Sequence, residues 1–226
     1  MQTDLKSFQK KIDYAFKDET LLERALSHSS FVNERQSGGK SNERLEFLGD
    51  SVLGFIAAEY FFLHYTHMPE GELTKLRAAA VCETSLYSFA KELDLGSFLL
   101  LGRGELVTGG NERSSILADA FEALLAAVYL DGGIGEAKRF VLGFIKSAAK
   151  KAESFKDYKT VLQEVVQKNP EESVVYVLTA ESGPDHNKIF TVEVHLNSNV
   201  IGKGSGKSKK LAEQAAAKEA LALMGL

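Results

Sequence analysis

Residues 42–54 read Asn-Glu-Arg-Leu-Glu-Phe-Leu-Gly-Asp-Ser-Val-Leu-Gly, a helical pattern with two different faces. Glu43, Glu46 and Asp50 stand at positions i, i+3 and i+7, so a helix gathers their carboxylates into an arc of roughly 60°. The opposite side is apolar and comprises Leu45, Leu48, Val52, Phe55 and Ile56. Stacked like charges repel by about 0.2–0.5 kcal/mol per adjacent pair, which a bound cation would offset. Acids on one helix face are more often only its solvated side, and that alternative stays open here.

A second acidic pair lies in residues 115–130, which read Ser-Ile-Leu-Ala-Asp-Ala-Phe-Glu-Ala-Leu-Leu-Ala-Ala-Val-Tyr-Leu. Asp119 and Glu122 are three residues apart on a helix that is otherwise almost entirely apolar. A buried carboxylate needs a partner or a metal ion. If the two helices pack together, Glu46, Asp50, Asp119 and Glu122 form one cluster of the oxygen ligands that Mg²⁺ prefers.

Residues 42–54 resemble the signature of the ribonuclease III family, and further motifs follow in the order typical of that family. They are Pro-Glu-Gly-Glu-Leu-Thr-Lys-Leu-Arg at 69–77, Leu-Gly-Arg-Gly-Glu at 101–105, Gly109-Gly110, and Ser-Ile-Leu-Ala-Asp-Ala-Phe-Glu-Ala-Leu at 115–124. The similarity runs over nearly the whole chain. Several ordered motifs are far more specific than any one alone, so the resemblance implies an endoribonuclease that cleaves double-stranded RNA.

Residues 1–150 are predicted to form an all-α N-terminal endonuclease domain, because almost no segment alternates with the period of a strand. The expected helices are Asp4–Ile12, Glu19–His28, Glu43–Tyr65, Gly71–Leu93 with a break near Cys82–Thr84, Glu112–Leu130, and one from Gly135 into Lys150. Asn33–Ser41 and Gly102–Asn111 are expected to be loops. Asp131-Gly132-Gly133 is typical of a helix stop.

A lysine-rich stretch, Lys146–Lys159, has few core residues and is interpreted as a linker region, with the linker itself placed at 151–156. The pattern then changes over residues 157–226. Helix Tyr158–Lys168, strands Val174–Glu181 and Ile189–Leu196, a third strand from Val200, and helix Lys207–Leu223 are expected. This αβββα order predicts a small α+β domain.

The second domain resembles the double-stranded RNA-binding domain. Its residues 204–210, Gly-Ser-Gly-Lys-Ser-Lys-Lys, lead into a helix start, where backbone N–H groups and the helix dipole favour phosphate. The resemblance places Lys207, Lys209 and Lys210 on phosphates, Gln163 and Glu164 at one minor groove, and His186 at the next. Taken alone, a lysine cluster is usually a solvated face and His186 an ordinary loop histidine. Glu213 departs from the family, which often has a basic residue there.

The resemblance also implies roles for the acidic residues. Glu46, Asp119 and Glu122 are expected to bind Mg²⁺, for which Mn²⁺ would substitute, and Asp50 and Glu122 are expected to be catalytic. Asp50 would hold or orient water at the metal. Glu43, Phe47 and Glu70 are assigned to the cleft or to a dimer contact. The alternatives are that Glu43 and Glu70 pair with Arg44 or Lys75, and that Phe47 packs within its own domain.

The amino-acid composition limits the class of protein less sharply than the motifs do. The net charge is −4, and the whole excess lies in residues 1–150, where 17 basic residues face 21 acidic ones. Cys82 is the only cysteine, so no intrachain disulfide can form and cysteine-ligated zinc is excluded in practice. The charged N-terminus lacks an apolar signal core, and no apolar run reaches 18 residues. We therefore expect a cytoplasmic protein with no membrane partner. The family resemblance implies a homodimer that binds double-stranded RNA and uses no small organic cofactor.

Two other functions compete with cleavage of duplex RNA. A non-cleaving regulator that only binds double-stranded RNA should have lost its acids, yet Glu46, Asp50, Asp119 and Glu122 are all present. A helical metal-dependent phosphohydrolase acting on nucleotides would have no use for the C-terminal RNA module. The endoribonuclease hypothesis therefore leads.

Overall fold

The structure is a computed structural model that describes residues 4–35, 39–154, 158–184 and 188–226. The chain divides into two compact units, Met1–Ser154 and Phe155–Leu226. Each unit has its own hydrophobic core. We refer to them as unit 1 and unit 2.

Unit 1 is helical throughout its described residues, apart from loops and an isolated parallel bridge between Ser27 and Leu100. Its first two helices start at aspartates that cap them: Asp4 accepts from the Ser7 amide and Asp18 from the Thr20 amide, each at 3.0 Å. The predicted all-α class is confirmed. The helices are α1 (Leu5–Lys11), α2 (Glu19–Ala25), α3 (Ser29–Arg35), α4 (Glu43–His64), α5 (Glu70–Ala80), α6 (Glu83–Glu92), α7 (Arg103–Val107) and α8 (Ser114–Ser154), with 3₁₀ turns at Leu95–Ser97 and Gly110–Glu112.

Helices α4 and α8 form the centre of unit 1. Between Leu117 and Val128, nearly every α8 side chain other than Asp119 and Glu122 is buried, and many are alanine. Small side chains let neighbouring helices approach closely and hold the segment in place. Asp119 and Glu122 therefore project from a firmly packed helix.

By length and composition, α4 is the one described helix long and apolar enough to cross a membrane. The core helix of a globular protein passes the same test. Leu45, Leu53 and Ile56 of α4 are buried in the core of unit 1. Other apolar side chains of the same helix stay outside this core, since Phe47, Phe55, Phe62 and Leu63 are each more than half exposed.

Two short helices lie where the sequence predicts loops. Helix α3 occupies the start of the expected Asn33–Ser41 loop, and α7 lies within Gly102–Asn111. Neither helix fully buries a side chain. Without a buried face they leave no apolar period in the sequence, so the pattern predicts loops at both places.

The helix breaks at the predicted stop, Asp131-Gly132-Gly133: α8 consists of two helical segments that meet there at a kink. Gly133 has φ 81° and ψ −179°, a backbone conformation that favours glycine. Asp131 accepts hydrogen bonds from the Tyr14 hydroxyl (2.6 Å) and from the amides of Lys17 (3.0 Å) and Asp18 (2.9 Å). Since α8 then continues to Ser154, residues 151–154 of the expected linker are helical.

Unit 2 has the predicted αβββα order. Its elements are α9 (Tyr158–Val166), β1 (Val174–Ser182), β2 (Ile189–Leu196), β3 (Asn199–Gly206) and α10 (Lys209–Leu223). The sheet is antiparallel in the order β1-β2-β3, with Tyr176 opposite Val194 and Val194 opposite Gly202. A Cβ on Gly202 or Gly204 would lie 2.4 or 2.2 Å from the α10 backbone. Glycine on β3 therefore lets α10 pack directly on the sheet.

Candidate functional site

Gly49 sets the distance between α4 and α8. A Cβ atom on Gly49 would lie 2.0 Å from the carbonyl oxygen of Glu122 and 2.5 Å from its carbonyl carbon. Both distances are far inside van der Waals contact, so the helices touch backbone to backbone at this point. Because Glu46 and Asp50 flank Gly49 on α4, this contact brings them to the acidic residues of α8.

The contact assembles a compact carboxylate cluster. Oxygen atoms of Glu46, Asp119 and Glu122 all lie within 4.8 Å of one another, and each side chain is partly buried. Within the described residues, none of the three forms a salt bridge with lysine or arginine. The three acidic groups therefore face one another without a lysine or arginine paired to any of them.

The proton affinity of the cluster reflects this arrangement. Burial, followed by the charges of Asp50, Asp119 and Glu46, raises the pKa of Glu122 to about 8. Burial and then Asp119 and Glu43 raise the pKa of Glu46. Asp50 is exposed, and its effect on Glu122 places it beside the cluster. Carboxylates that hold protons this tightly are poised to exchange them for a cation.

The donor set suits a hard divalent metal ion. All three groups offer carboxylate oxygen, and no imidazole or thiolate belongs to the group. Mg²⁺ and Mn²⁺ take such ligands, whereas zinc sites usually include nitrogen or sulfur. Glu46, Asp119 and Glu122 are thus the residues that could hold the ion.

The structure keeps Glu43, Phe47 and Glu70 outside the three-residue cluster. Glu43 accepts from the Ser41 hydroxyl and Glu70 from the Thr74 hydroxyl, both at 2.9 Å. Lys75 pairs with Glu72 at 3.7 Å rather than with Glu70. Phe47 is 78% exposed, so it does not pack within its own domain.

Two further residues, Glu83 and His28, lie close enough to the cluster to act on Asp119, and no sequence pattern indicates them. Burial and then the charge of Glu83 raise the pKa of Asp119, whereas the charge of His28 lowers it. Glu83 accepts from the Ser114 hydroxyl (2.6 Å), and His28 Nδ1 lies 2.8 Å from Ser30 Oγ. Glu83 follows a helix break and His28 follows the end of α2, positions that carry no periodic signal.

A basic surface marks the start of α10 in unit 2. Lys207, Lys209 and Lys210 are exposed there, and the Ser208 hydroxyl caps the helix by accepting from the Leu211 amide (3.3 Å). Lys209 Nζ lies 3.6 Å from Glu181 and 5.8 Å from the centroid of the Phe190 ring. Exposed lysines at a capped helix start favour a phosphate ligand.

The remaining residues predicted to bind RNA lie elsewhere in unit 2. Gln163 and Glu164 are exposed on α9. His186 lies outside the described residues. Glu213, the departure noted in the sequence, forms a salt bridge with Lys159 at 2.6 Å.

Comparison with known proteins agrees with both units. Residues 18–148 match the family model described as Ribonuclease-III-like, and residues 158–224 match the Double-stranded RNA binding motif. The chain is 51% identical over 221 residues to Ribonuclease 3 of Caldanaerobacter subterraneus, covering 96% of this chain and 97% of that one. It is 49% identical over 221 residues to Ribonuclease 3 of Clostridium tetani, covering 96% of this chain and 94% of that one.

The chain belongs to the ribonuclease III family. A solved nuclease domain of ribonuclease III from Campylobacter jejuni matches with a TM-score of 0.60 and 41% identity, over 64% of this chain and 98% of that one. As a member of the ribonuclease III family, the chain is an endoribonuclease with a double-stranded RNA-binding domain. The nuclease domain of this family is metal-dependent, in agreement with the acidic cluster.

Proposed function

We propose that this chain is a Mg²⁺-dependent endoribonuclease that cleaves double-stranded RNA to 5′-phosphate and 3′-hydroxyl ends with short 3′ overhangs. It acts in the cytoplasm on ribosomal RNA precursors and other structured transcripts. The observation that carries the proposal is the carboxylate cluster of Glu46, Asp119 and Glu122, whose oxygens lie within 4.8 Å of one another.

Each acidic residue has a role that follows from its position. When bound, Mg²⁺, or Mn²⁺ in its place, supplies the positive charge that activates water and stabilises the phosphate charge developing during hydrolysis. Glu46, Asp119 and Glu122 would hold the ion. Glu122 is also proposed to exchange a proton with the reacting groups. Its pKa of about 8 belongs to the metal-free chain and would fall when a cation binds. Asp50 is exposed beside them and can orient the attacking water. Such chemistry needs no organic cofactor.

We further propose that the active form is a homodimer, because one carboxylate cluster cuts one strand and a duplex has two. Phe47 is an exposed aromatic on α4. Residues of α4 and α8 together line a cavity of about 260 Å³: Ser51, Val52, Phe55, Tyr129 and Ile134. A partner's ring would find an apolar pocket there. The Campylobacter jejuni nuclease domain is described as having structural flexibility in the region involved in dimer formation.

Replacing Phe47 with aspartate is expected to convert the dimer to a monomer at micromolar concentration. An unpaired carboxylate buried in an apolar pocket costs several kcal/mol, more than most interfaces can absorb. Sedimentation velocity measures the change. Leu223→Asp, which introduces the same charge at an exposed apolar residue of α10, is the matched control and should leave the dimer intact. A Phe47→Asp chain that still sediments as a dimer would contradict the proposed contact.

The lysines at the start of α10 should differ in their contribution to RNA binding. Lys207 and Lys210 have no acidic partner within the described residues, whereas Lys209 lies 3.6 Å from Glu181. Removing both unpaired lysines should reduce the slope of log Kd against log salt by roughly two and weaken binding about tenfold at 0.15 M salt. Fluorescence anisotropy with a labelled duplex in EDTA gives both quantities. Lys168→Ala removes an exposed lysine two residues after the end of α9 and should change neither. An equal effect per lysine would refute the assignment.

The direct test of function is incubation with a labelled RNA duplex in Mg²⁺, repeated in Ca²⁺ and with a single-stranded control. Cutting of the duplex alone, in Mg²⁺ only and with short 3′ overhangs, would support the site and the dimer together. Binding without cutting in every ion would instead favour a non-cleaving RNA-binding regulator.

A further inference from the structure

Lys159 joins three elements of unit 2 at one point. Its backbone amide donates to Gln214 Oε1 of α10 at 3.3 Å, and its ammonium group pairs with Glu213 at 2.6 Å. The same ammonium lies 4.6 Å from the centroid of the Tyr176 ring on β1. Both members of the ion pair are partly buried, with 34% and 28% of their side chains exposed. Solvent therefore screens this pair less than it would screen two fully exposed side chains.

The ion pair links the two helices that carry the residues proposed to contact RNA. Lys159 precedes Gln163 by four residues on α9, so the two share a face of that helix. Glu213 follows Lys209 by four residues on α10 and shares a face with it. The pair thus connects the helix that carries Gln163 and Glu164 with the helix whose start carries the phosphate-binding lysines.

We propose that Glu213 is a positioning residue for duplex RNA: its ion pair with Lys159 sets the spacing between α9 and the start of α10. An A-form duplex presents its minor groove and the adjacent phosphates at a fixed separation, so two helices that read both must be held at a matching distance. The inference rests on the proposed binding of duplex RNA by unit 2. It gives a function to the acid that departs from the family pattern.

The proposal and simple electrostatics predict opposite results for one substitution. Glu213→Lys makes the chain more positive by two charges, so long-range attraction to RNA alone would tighten binding. It also places a second ammonium group against Lys159. Repulsion would then push α9 and α10 apart, and binding would weaken despite the added charge.

The experiment measures the affinity of the full chain for a labelled RNA duplex in EDTA, where no cleavage occurs. Glu213→Lys and Lys159→Glu are each expected to bind about tenfold more weakly than the parent chain, which is a typical coupling for an interacting pair. The double variant Lys159→Glu with Glu213→Lys keeps the net charge and restores an ion pair in reverse. It should bind within about threefold of the parent.

Glu171→Lys is the matched control, because Glu171 is exposed and its side chain makes no ion pair or hydrogen bond within the described residues. It makes the same charge change and should bind as tightly as the parent or about twofold more tightly. Tighter binding by Glu213→Lys, or failure of the double variant to recover while its thermal unfolding midpoint matches the parent's, would overturn the proposal. If Glu213→Gln lowers only the unfolding midpoint and leaves affinity unchanged, the pair is merely structural. If the parent chain itself does not bind the duplex, the proposed function fails instead.

Discussion

A Glu122→Gln chain is expected to cleave duplex RNA at least about 10³-fold more slowly than the parent chain while binding the duplex with equal affinity. Glutamine keeps the size of the side chain but removes the charge that would hold the metal ion and the carboxylate that would accept a proton. Glu122 lies in unit 1, whereas the proposed RNA-binding lysines lie in unit 2. Single-turnover cleavage in Mg²⁺ and anisotropy in EDTA measure the two properties separately.

The same substitution should stabilise the metal-free protein. The pKa of Glu122 is raised from its ordinary 4.5 to about 8, so the folded chain retains a proton that the unfolded chain releases. Stability therefore falls as pH rises from about 4.5 through 8. At pH 8.5 in EDTA, Glu122→Gln should be more stable by about 1–2 kcal/mol, because solvent screens this partly exposed cluster. Below pH 4 the difference should vanish, and saturating Mg²⁺ at pH 8.5 should reverse it.

Glu92→Gln provides the control for both measurements, since Glu92 is exposed on α6 and its side chain makes no ion pair or hydrogen bond within the described residues. It should match the parent in cleavage rate and in pH-dependent stability. A Glu122→Gln chain that still cuts within tenfold of the parent would refute the proposed role of Glu122. Loss of RNA binding in that chain would refute the separation of cleavage from binding.

The acidic cluster could be predicted from the sequence because each half of it is local. Glu46 and Asp50 share a face of one helix, and so do Asp119 and Glu122 on another. Spacing alone therefore indicated which acids share a face within each helix, but it grouped Glu43 with Glu46 and Asp50 and did not show that the two helices meet. The sequence also predicts the bounds of α4, since the expected helix Glu43–Tyr65 differs from the observed Glu43–His64 by one residue.

Other features depend on residues that meet only in the folded chain. Asp131, at the kink of α8, accepts hydrogen bonds from Tyr14 and Lys17, more than a hundred residues earlier, and no local pattern reveals these contacts. The partners Lys159 and Glu213 are 54 residues apart. Phe55 was placed on the apolar side of α4, yet it is 55% exposed, because it lies at the edge of that face and lines the open cavity.

Gly49→Ala is expected to destabilise unit 1 by about 2–3 kcal/mol and to weaken metal binding and cleavage together. Elsewhere in a helix, alanine in place of glycine would stabilise by about 0.5–1 kcal/mol. Here the new methyl group would lie 2.0 Å from the Glu122 carbonyl oxygen. Backbone cannot rotate away as a flexible side chain can, so α4 and α8 must separate by about an ångström to restore contact distance.

That separation would act on the site as well as on the core, because Gly49 lies between Glu46 and Asp50 and its contact is the backbone of Glu122 itself. Gly143→Ala on α8 is the matched control: its Cβ would meet nothing within 4 Å, and we expect a small gain in stability with normal cleavage. Thermal unfolding followed at 222 nm, with Mn²⁺ affinity by electron paramagnetic resonance, measures both effects. A Gly49→Ala chain as stable as Gly143→Ala would show that the helices do not meet backbone to backbone. Lost stability with unchanged Mn²⁺ affinity would show instead that the cluster tolerates a shift of one helix against the other, and that Gly49 serves only the core.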